Sequence, residues 1–118
     1  MEIFKEFHFE AAHRLDHLPP EHQCARLHGH SYRLRVFIRG PINPATGFIM
    51  DFADVKAAAK PVLDQLDHHF LNEVPGMGVS TTENIARFIW NRLKPALPLL
   101  SEIELWETAT CGVRYRGE

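Results

Sequence analysis

A chain of 118 residues with 45% apolar content is long enough for a single domain with its own core, and too apolar to be a disordered segment. Its 13 basic and 15 acidic residues give a formal charge of −2, which provides no basic field for gripping nucleic acid. No apolar run approaches the ~20 residues of a membrane span; the alternating, acid-bearing start MEIFKEFHFE does not read as a signal peptide, and two cysteines are too few for a disulfide framework, so the chain reads as cytoplasmic.

The first predicted element is a strand from about Glu2 to Arg14. Residues two apart on a strand share a face, so Ile3, Phe7, Phe9 and Ala11 line one side and His13 continues it. Glu2, Glu6, His8 and Glu10 take the other side. A loop with Pro19, Pro20 and Cys24 leads to a second strand, from about Ser31 to Gly40. Tyr32, Leu34, Val36 and Ile38 share one face there, and His28 and His30 continue that parity. If the strands are neighbours, His13, His28 and His30 meet at the end of one apolar face. Gly29 would let the backbone bend between the last two.

Imidazole is the commonest metal ligand, and three histidines leave the fourth position on zinc open. The nitrogen-rich set with a nearby thiol places zinc ahead of iron or manganese. Cys24 has two readings. It is either a fourth ligand that closes the site, as in a non-catalytic zinc module, or a free thiol beside an open metal. His8, His17, His22 and His69 read as surface or loop histidines.

Turn signals fill GPINPATG, residues 40–47. Asp51 then reads as the cap of a helix carrying Phe52, Val55, Ala59, Val62 and Leu66 at helical spacing, with Pro61 expected to kink or restart it. Asp67 and His68 follow in LDHHF, where a carboxylate can orient an imidazole, although neighbours on one backbone need not bond. Ser80 and Glu83 fit a capping box opening a helix with Ile85, Phe88, Ile89 and Leu93 on one side. Two strands close the chain, SEIELWET from Ser101 and CGVRYRG from Cys111. Cys111 reads as a packing residue.

The order ββααββ predicts an α+β domain over residues 1–118, a four-stranded antiparallel sheet with both helices on one face. Its open edges invite pairing with other copies, so an oligomer is expected. Glu107 breaks the pattern of its strand, because it shares a face with Ile103 and Leu105. A carboxylate there needs a partner. Either it receives two adjacent N–H donors of a ligand such as a 2-amino-4-oxo pyrimidine ring, or it pairs with Arg114 or Arg116.

With these residues assembled, the chain resembles the 6-pyruvoyltetrahydropterin synthase family end to end. The matching stretches are FEAAHRL from Phe9, CARLHGHSY from Cys24, GFIMDF from Gly47, LDHHFLN from Leu66, STTEN from Ser80, and WET from Trp106 through the terminal YRGE. Within the family, the spacing C-x3-H-G-H from Cys24 to His30 resembles the bacterial carboxy-forming branch of queuosine and 7-deazaguanine biosynthesis. The pyruvoyl-forming branch typically has two more residues in that interval, and a folate-linked branch has glutamate where this chain has Cys24. Ser80 departs from the proline common before the threonine pair.

The resemblance implies zinc on His13, His28 and His30, Cys24 as catalytic thiol, and Asp67 with His68 as its acid/base partner. It implies that Glu107 anchors a pterin ring in a pocket lined by Thr81 and Thr82. It also implies the tunnelling fold, in which trimers close a barrel of strands and two trimers stack into a hexamer. Catalytic groups from different subunits would then meet at interfaces. The expected substrate is a pterin triphosphate, and Arg26, Arg14 and Arg116 are candidates for its phosphates. The rival activity is the pyruvoyl-forming one, in which triphosphate is eliminated without loss of acetaldehyde.

Overall fold

The computed structural model describes residues 1–118. Strand β1 (Glu2–His13) and strand β2 (His28–Arg39) form a long antiparallel hairpin, paired residue for residue from Glu2↔Arg39 to His13↔His28. Helix α1 (Phe52–Leu66), a two-residue strand β3 (His69–Phe70) and helix α2 (Thr82–Leu93) follow, and strands β4 (Leu100–Trp106) and β5 (Gly112–Tyr115) end the chain. The sheet order is β3-β1-β2-β4-β5.

The period-2 pattern sorts the sheet as expected. Phe7, Phe9 and Ala11 of β1, Tyr32, Leu34, Val36 and Ile38 of β2, and Ile103 and Leu105 of β4 are buried. They form one core with Val55, Ala59, Val62 and Leu66 of α1 and Ile85, Phe88, Ile89 and Leu93 of α2. The opposite face carries charge. Glu6, Arg35, Glu104 and Arg114 occupy one cross-strand row over β1, β2, β4 and β5. Arg35 meets Glu6 at 2.9 Å and Glu104 at 3.6 Å, and Arg114 meets Glu104 at 2.7 Å.

Three expectations are corrected and one is narrowed. The sheet has five strands and is mixed, because β3 pairs in parallel with β1 at Ala11 and Ala12. A two-residue strand has no alternation to read. It is set by His68, whose backbone N–H donates to the Glu10 carbonyl at 2.6 Å. Of the two outcomes expected at Pro61, a kink or a restart, the restart does not occur: helix α1 continues through it as one element. Pro61 and Ala57, whose carbonyl would have accepted the missing bond, both lie on the exposed side. The cap of α2 is Thr81, whose hydroxyl accepts from Asn84 N–H, and not Ser80. Cys111 is exposed rather than packed. Asp51 caps α1 as expected, accepting from Ala53 N–H at 2.8 Å.

Candidate active site and metal centre

His13 and His28 are the last cross-strand pair of the hairpin, and His30 lies opposite Ala11. Shared parity puts all three rings on the helix side of the sheet. Their centroids are 4.6, 4.9 and 5.1 Å apart, and each pair of planes is steeply inclined. One ring nitrogen from each lies within 4.8 Å of the others. Gly29 contributes closeness rather than a bend. Its φ is not positive, but a Cβ there would stand 3.3 Å from the Ala11 carbonyl oxygen across the hairpin.

The protons on two rings can be assigned. His13 Nδ1 lies 2.7 Å from the Ser80 carbonyl oxygen, and His28 Nδ1 lies 2.6 Å from that of Arg26. A carbonyl only accepts, so both Nδ1 atoms carry hydrogen and both Nε2 lone pairs are free. His13 Nε2 is buried and has no partner. Burial, reinforced by the neighbouring histidines, holds the His13 ring below the usual histidine range, and burial does the same for His30. Rings held through Nδ1, as His13 and His28 are, and an orphaned inward nitrogen are what a divalent metal requires. The residues present therefore fit a bound zinc ion.

The supports of this centre were not legible as such. Ser80 is buried, and its hydroxyl donates to Asn72 Oδ1 at 3.2 Å. The Asn72 side chain also accepts from Arg14 N–H at 3.0 Å and donates to the Arg14 carbonyl at 2.8 Å. Asn72 thus ties the segment after His13 to the segment before α2, so that the Ser80 carbonyl meets the His13 ring. The motif LDHHFLN contains Asn72, but nothing in its spacing announces a bridge.

Glu107 lies one residue beyond β4, where its N–H donates to the Cys111 carbonyl at 3.0 Å. Its Oε1 is 3.7 Å from both His13 Nε2 and His30 Nε2. The arginines that might have claimed it are engaged elsewhere, Arg114 with Glu104 and Arg116 with Glu102. Of the two readings of Glu107, the arginine pair is therefore absent. Thr81 and Thr82 follow Ser80 directly; the Thr81 hydroxyl caps α2, and Thr82 is buried.

Asp67 and His68 do bond despite being adjacent. His68 has φ 59°, a left-handed conformation uncommon for a residue with a Cβ. That turn brings His68 Nδ1 to 3.0 Å from Asp67 Oδ2, while Asp67 Oδ1 accepts from Glu10 N–H at 2.9 Å. The Glu10 N–H and the His68 ring lower the Asp67 pKa, which keeps the carboxylate ionised to orient the imidazole. His68 and His30 line one open cleft of about 480 Å³ with Glu10, Ser31 and His69.

Cys24 is half-buried in a single helical turn, Gln23–Ala25. Its N–H donates to His22 Nδ1 at 3.0 Å, and its carbonyl accepts from Leu15 N–H at 2.8 Å. His22, expected to be an ordinary loop histidine, fixes the backbone of the thiol. Within one chain Cys24 joins neither the histidine cluster nor the cleft of His68. Arg26 is exposed and holds the His28 ring through its carbonyl.

A sequence profile of the family described as 6-pyruvoyl tetrahydropterin synthase matches residues 2–118. The chain belongs to that family. It is 43% identical over 119 residues to the 6-carboxy-5,6,7,8-tetrahydropterin synthase of Synechocystis, covering 96% of this chain and 91% of the relative. It is 35% identical over 133 residues to the 6-pyruvoyl tetrahydrobiopterin synthase of Homo sapiens, covering 99% and 92%. The solved 6-pyruvoyl tetrahydropterin synthase of Caenorhabditis elegans has a TM-score of 0.92 at 29% identity, over 100% of this chain and 96% of that one. The expected family is thereby established, and with it an enzyme rather than a bare zinc module. No helix is long and apolar enough to cross a membrane.

Proposed function

We propose that this single-domain protein is a cytoplasmic zinc enzyme of the carboxy-forming branch. Its reaction converts 7,8-dihydroneopterin triphosphate and water to 6-carboxy-5,6,7,8-tetrahydropterin, acetaldehyde and triphosphate, in queuosine and 7-deazaguanine biosynthesis. The observation that carries this reading is the orphaned His13 Nε2 facing two further histidines, with Glu107 beside them. The 43% identity to a 6-carboxy-5,6,7,8-tetrahydropterin synthase and the C-x3-H-G-H spacing favour this branch over the pyruvoyl-forming one.

His13, His28 and His30 hold the zinc. When bound, zinc supplies Lewis-acid polarisation of side-chain oxygens on the substrate. Glu107 accepts from the ring N–H and amino group of the pterin, whose pocket Thr81 and Thr82 line. Cys24 and the Asp67–His68 pair move protons on either side of the substrate side chain, Asp67 holding Nδ1 so that Nε2 is the working atom. Arg14 is tied to Asp16 and Arg116 to Glu102, which leaves Arg26 as the freest of the candidate triphosphate cations.

The chain assembles into a hexamer of two stacked trimers, and Cys24 meets His68 across a subunit interface. Two features support assembly. The outer edge of β1 is paired with β3 only at Ala11 and Ala12, and β5 forms the other open edge. The radius of gyration is 15.4 Å, against about 13.5 Å for a compact domain of this length.

The test is anaerobic incubation of the zinc-loaded protein with 7,8-dihydroneopterin triphosphate, with products identified by mass spectrometry. 6-Carboxytetrahydropterin with equimolar acetaldehyde is expected. A 6-pyruvoyl product would overturn the branch, and no turnover by folded, zinc-loaded hexamer would overturn the proposal.

A further inference from the structure

We propose that Tyr32 is a positioning residue of this site: with a metal on the three histidines, its hydroxyl donates to the Glu107 carboxylate and fixes the orientation in which Glu107 meets paired N–H donors of a ligand. The first half concerns the metal-loaded chain without ligand. The second rests on the proposed pterin site.

The two side chains approach the same pair of histidines. Leu34 of β2 faces Leu105 of β4, and Arg33 faces Trp106, the last pair of the two strands. Tyr32 and Glu107 are the residues next to that last pair, and Glu107 Oε1 lies 3.7 Å from Nε2 of both His13 and His30, whose rings Tyr32 also adjoins. Tyr32 also faces Phe9 across the hairpin, and the two rings stack at 4.8 Å with an interplanar angle of 9°. The stack fixes the plane of the phenol, and the ring stands edge-on to His30 at 5.6 Å and His13 at 6.4 Å.

Two unfilled requirements then coincide. Tyr32 is fully buried, yet its hydroxyl has no hydrogen-bond partner. Buried phenols normally find one. Glu107 has the converse lack, since Oε1 lies 3.7 Å from His13 Nε2 and His30 Nε2, too far for hydrogen bonds, and His13 carries its hydrogen on Nδ1. Once those nitrogens give their lone pairs to a metal they carry no hydrogen and cannot serve Glu107. The neighbouring phenol is then the donor available to it. A phenol carries its proton at neutral pH and can donate. A carboxylate held on one side by a fixed phenol presents its remaining lone pairs in one direction, which a bidentate contact requires.

The experiment compares zinc-loaded wild type, Tyr32→Phe, Glu107→Gln and the double variant. Tyr32→Phe keeps the ring and its stack on Phe9, so zinc affinity by chelator competition is expected to stay within about twofold. The first readout needs no ligand. In protein labelled at glutamate carboxyl carbons, the resonance missing from Glu107→Gln identifies Glu107, and Tyr32→Phe is expected to move it. An unmoved resonance overturns the proposal, as does loss of fold or zinc in Tyr32→Phe. The second readout is titration with pterin. Tyr32→Phe is expected to weaken binding about tenfold in the wild-type background and less than about twofold beside Glu107→Gln. Equal losses in both backgrounds overturn the coupling. Failure of wild type to bind pterin would count against the proposed function, while the carboxyl resonance would still decide the contact between Tyr32 and Glu107.

Discussion

Two clusters of ionisable side chains sit on the two faces of the same sheet, and they are built to opposite ends. On the face away from the helices, Glu6, Arg35, Glu104 and Arg114 alternate in sign along one cross-strand row. Each charge meets an opposite one, and even Glu104 Oε1, which lacks a hydrogen bond, has Arg35 at 3.6 Å. On the helix face, His13, His28, His30 and Glu107 converge with nothing of opposite charge fixed among them, and His13 Nε2 and Tyr32 Oη are buried without partners. Burying unpaired polar atoms is costly, so such atoms persist where a ligand completes them. Charge density alone does not mark a site; a row that answers itself is architecture, and a cluster with unanswered atoms is a receptor.

The comparison breaks most visibly if the ligand-directed cluster can be separated into holding and reacting parts. His28→Ala should lose both bound zinc and turnover. Cys24→Ala should keep zinc and lower turnover by about 10²–10⁴-fold, the range for removing a positioned proton-transfer group. Metal analysis by mass spectrometry beside the product assay checks both, and release of zinc from Cys24→Ala would make the thiol a structural ligand. Glu107→Gln comes next. It should weaken pterin binding by about 2–5 kcal/mol, the range for breaking one side of a buried charged contact. Titration of the zinc-loaded variant measures this, and unchanged affinity would remove Glu107 from the ring site.

The self-satisfied row should answer the opposite way. Glu104→Gln removes a charge from a side chain only 6% exposed, and should cost about 1–3 kcal/mol of folding stability. Zinc content and turnover per folded molecule should be unchanged. Denaturant melts beside an activity assay test this, and lost zinc with normal stability would erase the distinction between the faces.

How much of this was legible follows from what each feature depends on. The three histidines were readable because a strand's period is two and their parities matched those of Phe9 and Tyr32. Glu107 stood out because it breaks the apolar parity of Ile103 and Leu105. Asp67 with His68 was visible as a pair, but their bond depends on the left-handed turn at His68, and no periodicity encodes that turn. Asn72 and Ser80 were hidden for another reason: they act through backbone carbonyls and amides brought together by the tertiary fold. Strand β3 was missed because two residues cannot alternate. Tyr32 looked like core and is core; only the lack of a partner for its hydroxyl sets it apart, and that lack exists only in three dimensions.

The smallest effect is a pH dependence that separates the faces without mutation. In the metal-free protein, burial holds His13 and His30 below their unfolded value of 6.5. Below about pH 6.5 the unfolded chain therefore binds more protons at these rings than the folded one. Stability contributed by their neutrality is complete above that pH and is lost as pH falls toward the folded values. Glu2 and Glu6, whose pKa values are lowered by Ser101 and by Arg35, work at the other end. Their contribution is present above the unfolded carboxylate range and is lost only as pH falls below about 4.5. Between pH 7 and 5.5 the histidine end should thus weaken while these carboxylates hold. Zinc should raise the melting temperature more at pH 7.5 than at pH 5.5, because protons compete for the same nitrogens. Thermal melts of metal-free and zinc-loaded protein across this window check both signs. A metal-free midpoint that is flat or rises as pH falls to 5.5 would mean that His13 and His30 are not held neutral by burial.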